Sequence, residues 1–338
     1  DSPITAYEDR NHWHWRDGQP VWRTPAPVAD VTLLGEWPEQ LAILRENGLL
    51  VEMADGRTHR VPLHATNITA EATPADLALI LVKSHKTAAA ANVARQILAD
   101  DGLTLTLQNG LGNLETLATE LTPHPTALGV TSAGAAMAGP GHVRVAGMGH
   151  TYLAPPTGSG TRITLPDVAR LFTQAGFPTD LTDNPISLVW GKLAINAGIN
   201  PLTALLHVPN GYLAENPAAR AIMAQAANEA AAVAQAQGIR LPYADAAQRT
   251  LEVAQGTASN HSSMLQDVQR GARTEIEAIC GAVVRVGRLH HIPTPANAVL
   301  LREVKNLEER GNPTYFETVA RLESDRAAKI GKSAMANS

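Results

Sequence analysis

The sequence predicts two domains of different class, an open α/β sheet over residues 1–184 and an all-helical domain over 185–331, with a frayed tail at 332–338. Three observations carry this reading. Short apolar runs alternate with amphipathic stretches as far as Asn184, and the pattern turns to nearly continuous helix from Ile186. Between them, Leu77–Val82 (LALILV) is an unbroken apolar run, as in a parallel strand buried on both faces. The 338 residues are enough for two hydrophobic cores.

Within the first domain, Val31–Leu34 reads as a strand and Pro38–Glu46 as the helix after it. Leu49–Met53 and His59–Leu63 flank Ala54-Asp55-Gly56, a hairpin signal. After the strand Leu77–Val82 come a helix over Thr87–Ala99, a strand over Leu103–Leu107 and a helix beyond Gly112. The Gly- and Ala-rich stretch from Val130 to Leu153 predicts further strands and turns. Strands alternating with helices of this length indicate a Rossmann-type, dinucleotide-binding sheet. In the second domain, Asn216-Pro217 caps an Ala-rich helix that ends at Gly238. Further helices are expected over Ala244–Ala254, from Ser263 toward Gly287, from Thr294-Pro295 to Gly311, and from Phe316 to Ile330.

Composition narrows the function. A net charge of −5 gives no electrostatic basis for binding nucleic acid. The single cysteine, Cys280, excludes an internal disulfide framework, suits a reducing cytosol and reads as inert core. With no membrane-spanning apolar run and no signal-peptide core in residues 1–30, a cytoplasmic protein is expected. His85, His290 and His291 have no metal-ligand spacing and read as loop or surface residues, so no metal is expected. The Ala-rich helices are compatible with a homodimer.

The segment from Lys192 to Gly211, KLAINAGINPLTALLHVPNG, carries the chemistry. Lys192, Asn196 and Asn200 recur every four residues and so fall near one helix face. An asparagine ladder beside a lone amine suits a small hydroxylated ligand; equally, backbone-satisfied asparagines on an ordinary helix would give the same spacing. Asn200 precedes Pro201 and is expected to shape the helix end.

Three blocks together, LQNGLGN (Leu107–Asn113), KLAINAGINPLTAL with HVPNG, and TASNHSSMLQDVQRGARTEIEAICG (Thr257–Gly281), resemble the ketopantoate reductase family from Val31 to about Glu309. The resemblance implies a Rossmann-type domain followed by a helical domain like the C-terminal domain of 6-phosphogluconate dehydrogenase. It further implies NADPH-dependent reduction of a 2-oxo acid, 2-dehydropantoate, in pantothenate biosynthesis. Ketone reduction requires a hydride donor, a proton donor for the developing alkoxide, and a clamp on the substrate. On this resemblance Lys192 is the general acid and Glu275 holds Lys192 and the reacting oxygen. Asn196, Asn210, Asn260 and Ser263 bind substrate, while Asn109 and Lys83 lie by the cofactor. Without the resemblance, Thr274-Glu275 would pass for an exposed helix face, and Asn260–Ser263 for a helix cap with Gln266 as its partner.

Two departures from the family stand out. Gly35-Glu36-Trp37 occupies the strand end where the family usually offers an arginine to the 2′-phosphate; an acid there favours NADH, so Glu36 leaves NADH open beside NADPH. The G-x-G-x-x-G turn is missing, and Asp9–Pro27, with three of the five tryptophans, stands in its place. Tryptophan has the single codon TGG. Advancing the reading frame by one base makes the Trp13–His14 and Trp15–Arg16 codon pairs both read glycine. The Gly18–Gln19 pair permits a third glycine at the required spacing, and Asp9–Trp13 becomes rich in Ile/Thr codons suited to a first strand. Residues 9–27 are therefore read as a frameshifted phosphate loop, with a genuinely divergent N-terminus that has lost the loop as the alternative. With the sequence as it stands, the sheet should lack its central first strand, leaving Val31–Leu34 without a partner on one side and cofactor binding weakened.

Overall fold

The computed structural model describes residues 3–8, 29–72 and 74–310, and the chain divides into two compact units, Asp1–Pro185 and Ile186–Ser338. In the first unit the strands of the main sheet are β1 (Pro3–Glu8), β2 (Asp30–Gly35), β5 (His64–Thr66), β6 (Ala75–Ile80), β7 (Leu98–Thr106), β8 (Thr126–Thr131), β11 (Thr151–Ala154) and β12 (Thr179–Leu181). Their order is β12-β11-β8-β7-β6-β1-β2-β5, parallel throughout except where β11 meets β8. Helices α1 (Pro38–Asn47), α2 (Thr87–Ile97), α3 (Asn113–Leu121) and α4 (Leu165–Gln174) complete the α/β pattern.

A central first strand is present, contrary to the expectation from sequence. Pro3–Glu8 pairs in parallel with β2 on one side and β6 on the other, Ile4 opposite both Val31 and Leu77. Ile4, Thr5 and Tyr7 are good strand formers, but six residues without a long apolar run give no signal strong enough to read. The segment 9–27, with its frameshift reading, lies outside the described residues.

LALILV buries both faces of the sheet, as its pattern demands. Leu77 and Leu79 pack with Leu103, Leu105, Phe172 and Phe177, whereas Ile80 and Leu34 pack with Ala91, Ala94 and Leu117. Helix α4 has a capping box, Thr164 with Asp167, a start signal that apolar periodicity alone does not reveal. The predicted hairpin forms as β3 (Leu49–Glu52) and β4 (Thr58–Val61). It belongs to a second sheet of order β4-β3-β10-β9, completed by β9 (Gly134–Gly139) and β10 (His142–Gly147) from the Gly/Ala-rich stretch. Glu52 ties the two parts together, accepting from Arg144 Nε at 2.8 Å and lying 3.0 Å from His142 Nε2.

The second unit is helical in its described residues: α5 (Pro185–Leu206), α6 (Asn210–Glu215), α7 (Pro217–Ala236), α8 (Ala246–Gly256), α9 (Ser263–Gln269), α10 (Cys280–Leu289) and α11 (Pro295–Arg310). Asn216 caps α7 as predicted, its Oδ1 accepting from the N–H groups of Ala218 and Ala219 at 3.0 Å. Two expectations fail. α5 does not end at Asn200 but runs through Pro201 to Leu206. From Ala197 to Leu206 every residue is buried, so packing outweighs the lost hydrogen bond. The single helix expected from Ser263 toward Gly287 breaks in two. Gly271 takes φ +65°, and the N–H of Ala272 turns back to Asp267 O at 2.9 Å, which closes α9. The helix expected over Phe316–Ile330 and the tail lie outside the described residues. Among the described residues no helix is long and apolar enough to cross a membrane.

Candidate active site

Close packing fixes one side of α5. A Cβ on Gly191 would come within 2.7 Å of Pro242 Cδ, and one on Gly198 within 2.9 Å of the Met223 carbonyl oxygen and Thr250 Cγ2. These glycines are seven residues apart, on one face, and let α7, α8 and the segment before α8 approach the backbone. Tyr243 Oη donates to the Gly191 carbonyl at 2.6 Å and Ser187 Oγ to that of Arg240, also at 2.6 Å. Lys192 and Asn196 lie on a different strip of α5, half-buried rather than sealed, whereas Asn200, one turn further on, is buried. Of the three rungs read from the sequence, Lys192 and Asn196 keep some exposure and Asn200 does not.

Pro201 withholds the N–H that would bond the carbonyl of Ala197. Cys280 Sγ reaches that oxygen at 4.0 Å from the first residue of α10. Two residues after the proline, Thr203 Oγ1 bonds the carbonyl oxygens of Ile199 at 3.1 Å and Asn200 at 3.0 Å, and shares a 2.6 Å hydrogen bond with Ser262 Oγ. Ser262, rather than Ser263, caps α9, accepting from the Leu265 N–H at 3.1 Å. Ser263 is thereby released from the capping role and stands half-buried in the first turn. The proline-containing turn of α5 is thus the point to which the segments carrying Ser263 and Glu275 are fastened.

Asn210 and Asn260 are brought together by backbone pairing. The Asn210 N–H donates to Asn260 O and the Gly211 N–H to Ala258 O, both at 3.0 Å. Asn210 Nδ2 donates to Thr257 Oγ1 at 2.8 Å, but its buried Oδ1 has no hydrogen-bond partner, which leaves an acceptor for a ligand hydroxyl. The Asn260 side chain is exposed. Glu275 lies in the break between α9 and α10 and is buried with Thr274, not on an exposed helix face. The Thr274 N–H donates to Glu308 Oε1 of α11 at 2.7 Å, and the Glu275 carbonyl accepts from Ala278 and Ile279.

Electrostatics link the two ionisable groups. Burial pushes the Lys192 ammonium down to about 8, and the Glu275 carboxylate, acting in the opposite direction, limits that fall. An amine poised near neutrality beside a carboxylate can give and recover a proton under ordinary conditions. The Cys280 thiol is pushed far up, by burial and secondarily by the charge of Glu229, which makes it a poor nucleophile.

In the first unit, Lys83 and Asn109 follow β6 and β7 at the carboxyl edge of the sheet. Lys83 is fully buried. Their segments are stitched together by residues that the sequence did not single out. Gln108 Nε2 donates to Val82 O at 2.7 Å and to Thr87 Oγ1 at 2.9 Å, and Ser84 Oγ to Asn109 O at 3.2 Å. Asn113 Nδ2 adds a bond to Asn109 O at 2.9 Å. Gly110 and Gly112 take φ +86° and +94°, which explains the two glycines of LQNGLGN. Asn109 Oδ1 is buried without a hydrogen-bond partner. An orphaned acceptor and a buried amine at the carboxyl edge of a parallel sheet suit the polar groups of a nicotinamide dinucleotide. Glu36 follows β2 directly, is exposed, and lies 3.5 Å from Lys86 Nζ.

Comparison with known proteins accords with this geometry. Residues 26–158 match the family model described as Ketopantoate reductase PanE/ApbA, and residues 185–308 match its C-terminal counterpart. The N-terminal match begins only at residue 26, beyond most of the tryptophan-rich stretch. The chain is 41% identical over 283 residues to the 2-dehydropantoate 2-reductase of Halobacterium salinarum, covering 83% of this chain and 92% of that one. It is 34% identical to the protein of that name from Pyrococcus horikoshii, covering 83% and 91%. The PanE/ApbA family ketopantoate reductase of Ralstonia eutropha superposes with a TM-score of 0.77 at 31% identity, over 91% of this chain and 99% of that one. D-mandelate dehydrogenase with NADH and anilino(oxo)acetate shares the fold, with a TM-score of 0.75 at 23% identity, over 83% and 91% of the two chains. With its two halves matched in order and relatives aligned along most of their length, the chain belongs to the ketopantoate reductase family.

Proposed function

We propose that this protein reduces the ketone of 2-dehydropantoate to the alcohol of pantoate in pantothenate biosynthesis, using a reduced nicotinamide cofactor, with NADPH as the principal donor. The observation that carries the reading is the opposed pair in the helical unit, a Lys192 amine held at about 8 beside the buried carboxylate of Glu275. When bound, the nicotinamide supplies a hydride. Lys192 gives its proton to the carbonyl oxygen as negative charge develops there, and Glu275 holds the ammonium in place before transfer. Asn210 Oδ1 accepts the substrate hydroxyl, with Asn196, Asn260 and Ser263 orienting the remaining hydroxyl and carboxylate contacts. In the dinucleotide-binding unit, Lys83 and Asn109 present a buried amine and an open acceptor to the cofactor.

Turnover of 2-dehydropantoate against other branched 2-oxo acids, followed by nicotinamide absorbance, tests this. A marked preference for 2-dehydropantoate is expected; equal or better turnover of another 2-oxo acid would replace the substrate assignment.

For residues 9–27 the proposal remains a one-base frameshift over the phosphate loop, supported by the family match that starts at residue 26. Resequencing the gene across Asp9–Pro27 should reveal the displaced base. An intact frame that encodes this same sequence would sink the idea, and a titration showing no NADPH binding would then favour a non-catalytic relative.

A further inference from the structure

The pair Glu36–Lys86 sits where the strand order reverses. β1 lies between β6 and β2, all three run parallel, and their carboxyl ends share one edge. Glu36 is the first residue after β2, while Lys86 ends a 3-10 turn, Ser84–Lys86, that follows β6. A 3.5 Å contact from Lys86 Nζ to Glu36 Oε2 therefore reaches from the β6 side to the β2 side, past the intervening β1. In open parallel sheets a dinucleotide lies at such a reversal, and the end of the second strand faces the adenosine ribose.

The two side chains offer opposite chemistry to that ribose. A carboxylate accepts hydrogen bonds from a free 2′-hydroxyl and repels a 2′-phosphate; an ammonium attracts the 2′-phosphate and gains far less from the neutral hydroxyl. The pair is long and partly exposed, with Lys86 at 33% and Glu36 at 64% side-chain exposure, so both groups are within reach of a ligand from solvent.

We propose that Glu36 and Lys86 together set cofactor choice, Lys86 leaving Glu36 to hold the 2′-phosphate of NADPH and Glu36 accepting the 2′-hydroxyl of NADH, so that one site accepts both. The inference rests on the nucleotide-binding reading of the first unit and is independent of which oxo acid is reduced.

Direct binding tests it, with no oxo acid present. Dissociation constants of the wild type, K86Q and E36Q are measured by NADPH and NADH fluorescence, and by calorimetry with adenosine 2′,5′-bisphosphate and AMP. Circular dichroism verifies that the variants fold. K86Q should weaken NADPH and the bisphosphate about tenfold, as expected for a lost charge-assisted contact, and leave NADH and AMP within about twofold. E36Q should weaken NADH and tighten NADPH. Added salt should weaken NADPH more steeply than NADH. Equal effects of K86Q on both cofactors, no effect on either, or a wild type that binds neither would overturn the proposal. Selective binding without turnover of 2-dehydropantoate would overturn the substrate assignment alone.

Discussion

Helices α5 and α7 are similar in length, 22 and 20 residues, and each carries an ionisable group into the helical unit, yet the two groups are treated in opposite ways. Glu229 on α7 is buried and fully engaged. Its oxygens accept from the N–H groups of Ala296 at 2.8 Å and Asn297 at 2.9 Å, from Asn297 Nδ2 at 2.8 Å and from Gln225 Nε2 at 3.2 Å. Placed at the first turn of α11, the carboxylate also meets the positive end of that helix. Lys192 on α5 is half-buried and held well below its ordinary ionisation. The contrast separates scaffold from site: a buried charge with its hydrogen-bonding capacity filled fastens helices together, and one kept away from its preferred protonation state does chemistry.

The largest effect should come from the reactive side. Lys192→Ala is expected to lower turnover by about 10²–10⁴, the range for a lost general acid, without lowering the urea midpoint. A variant that unfolds early while its folded fraction keeps its turnover would reverse the assignment. On the scaffold side, Glu229→Ala removes the acceptor of two helix-terminal N–H groups and of the Asn297 and Gln225 side-chain amides. It should cost about 3 kcal/mol in urea unfolding, with turnover of the folded protein changed by less than about twofold.

A smaller effect is read in pH. Ketone reduction needs the ammonium form, so its rate should fall as pH rises through about 8, and alcohol oxidation should rise through the same value. Glu275 raises the Lys192 value, so Glu275→Gln should move both limbs to lower pH; an unmoved limb would remove the pairing. Stability runs opposite to the reduction limb. The folded amine loses its proton before the unfolded one does, so stability contributed by Lys192 should increase from about 8 toward the ordinary lysine value. Lys192→Ala should flatten that rise. The smallest expected change is Thr203→Val, which removes the bond to Ser262 and should cost about 1 kcal/mol. It should raise KM for the oxo acid and leave that for the cofactor unchanged, with Thr203→Ser restoring the wild-type value.

How much of this could be read from the chain depended on how local the signal was. LALILV announces a strand buried on both faces because consecutive apolar residues allow little else. Asn216-Pro217 announces a helix start because cap and first-turn proline are adjacent. Pro3–Glu8 was not legible, since its place comes from β2 and β6, dozens of residues away. The extent of α5 is not legible either, because Pro201 carries a local penalty that burial overrides. Glu275 could be named only through the family resemblance; its burial depends on the break at Gly271, which in sequence resembles an ordinary helical glycine. Asn210 and Asn260 were both named, but their backbone pairing could not be, and neither could the contact of Lys86 with Glu36 across 50 positions.

The bond from Cys280 to the carbonyl left open by Pro201 gives the molecule a built-in gauge of its own integrity. The chain has a single thiol, sealed and held protonated far above its ordinary range. An alkylating reagent can label it only in molecules whose α5–α10 contact has opened. Labelling rate, with no engineered probe, therefore measures how often the framework behind Lys192 comes apart.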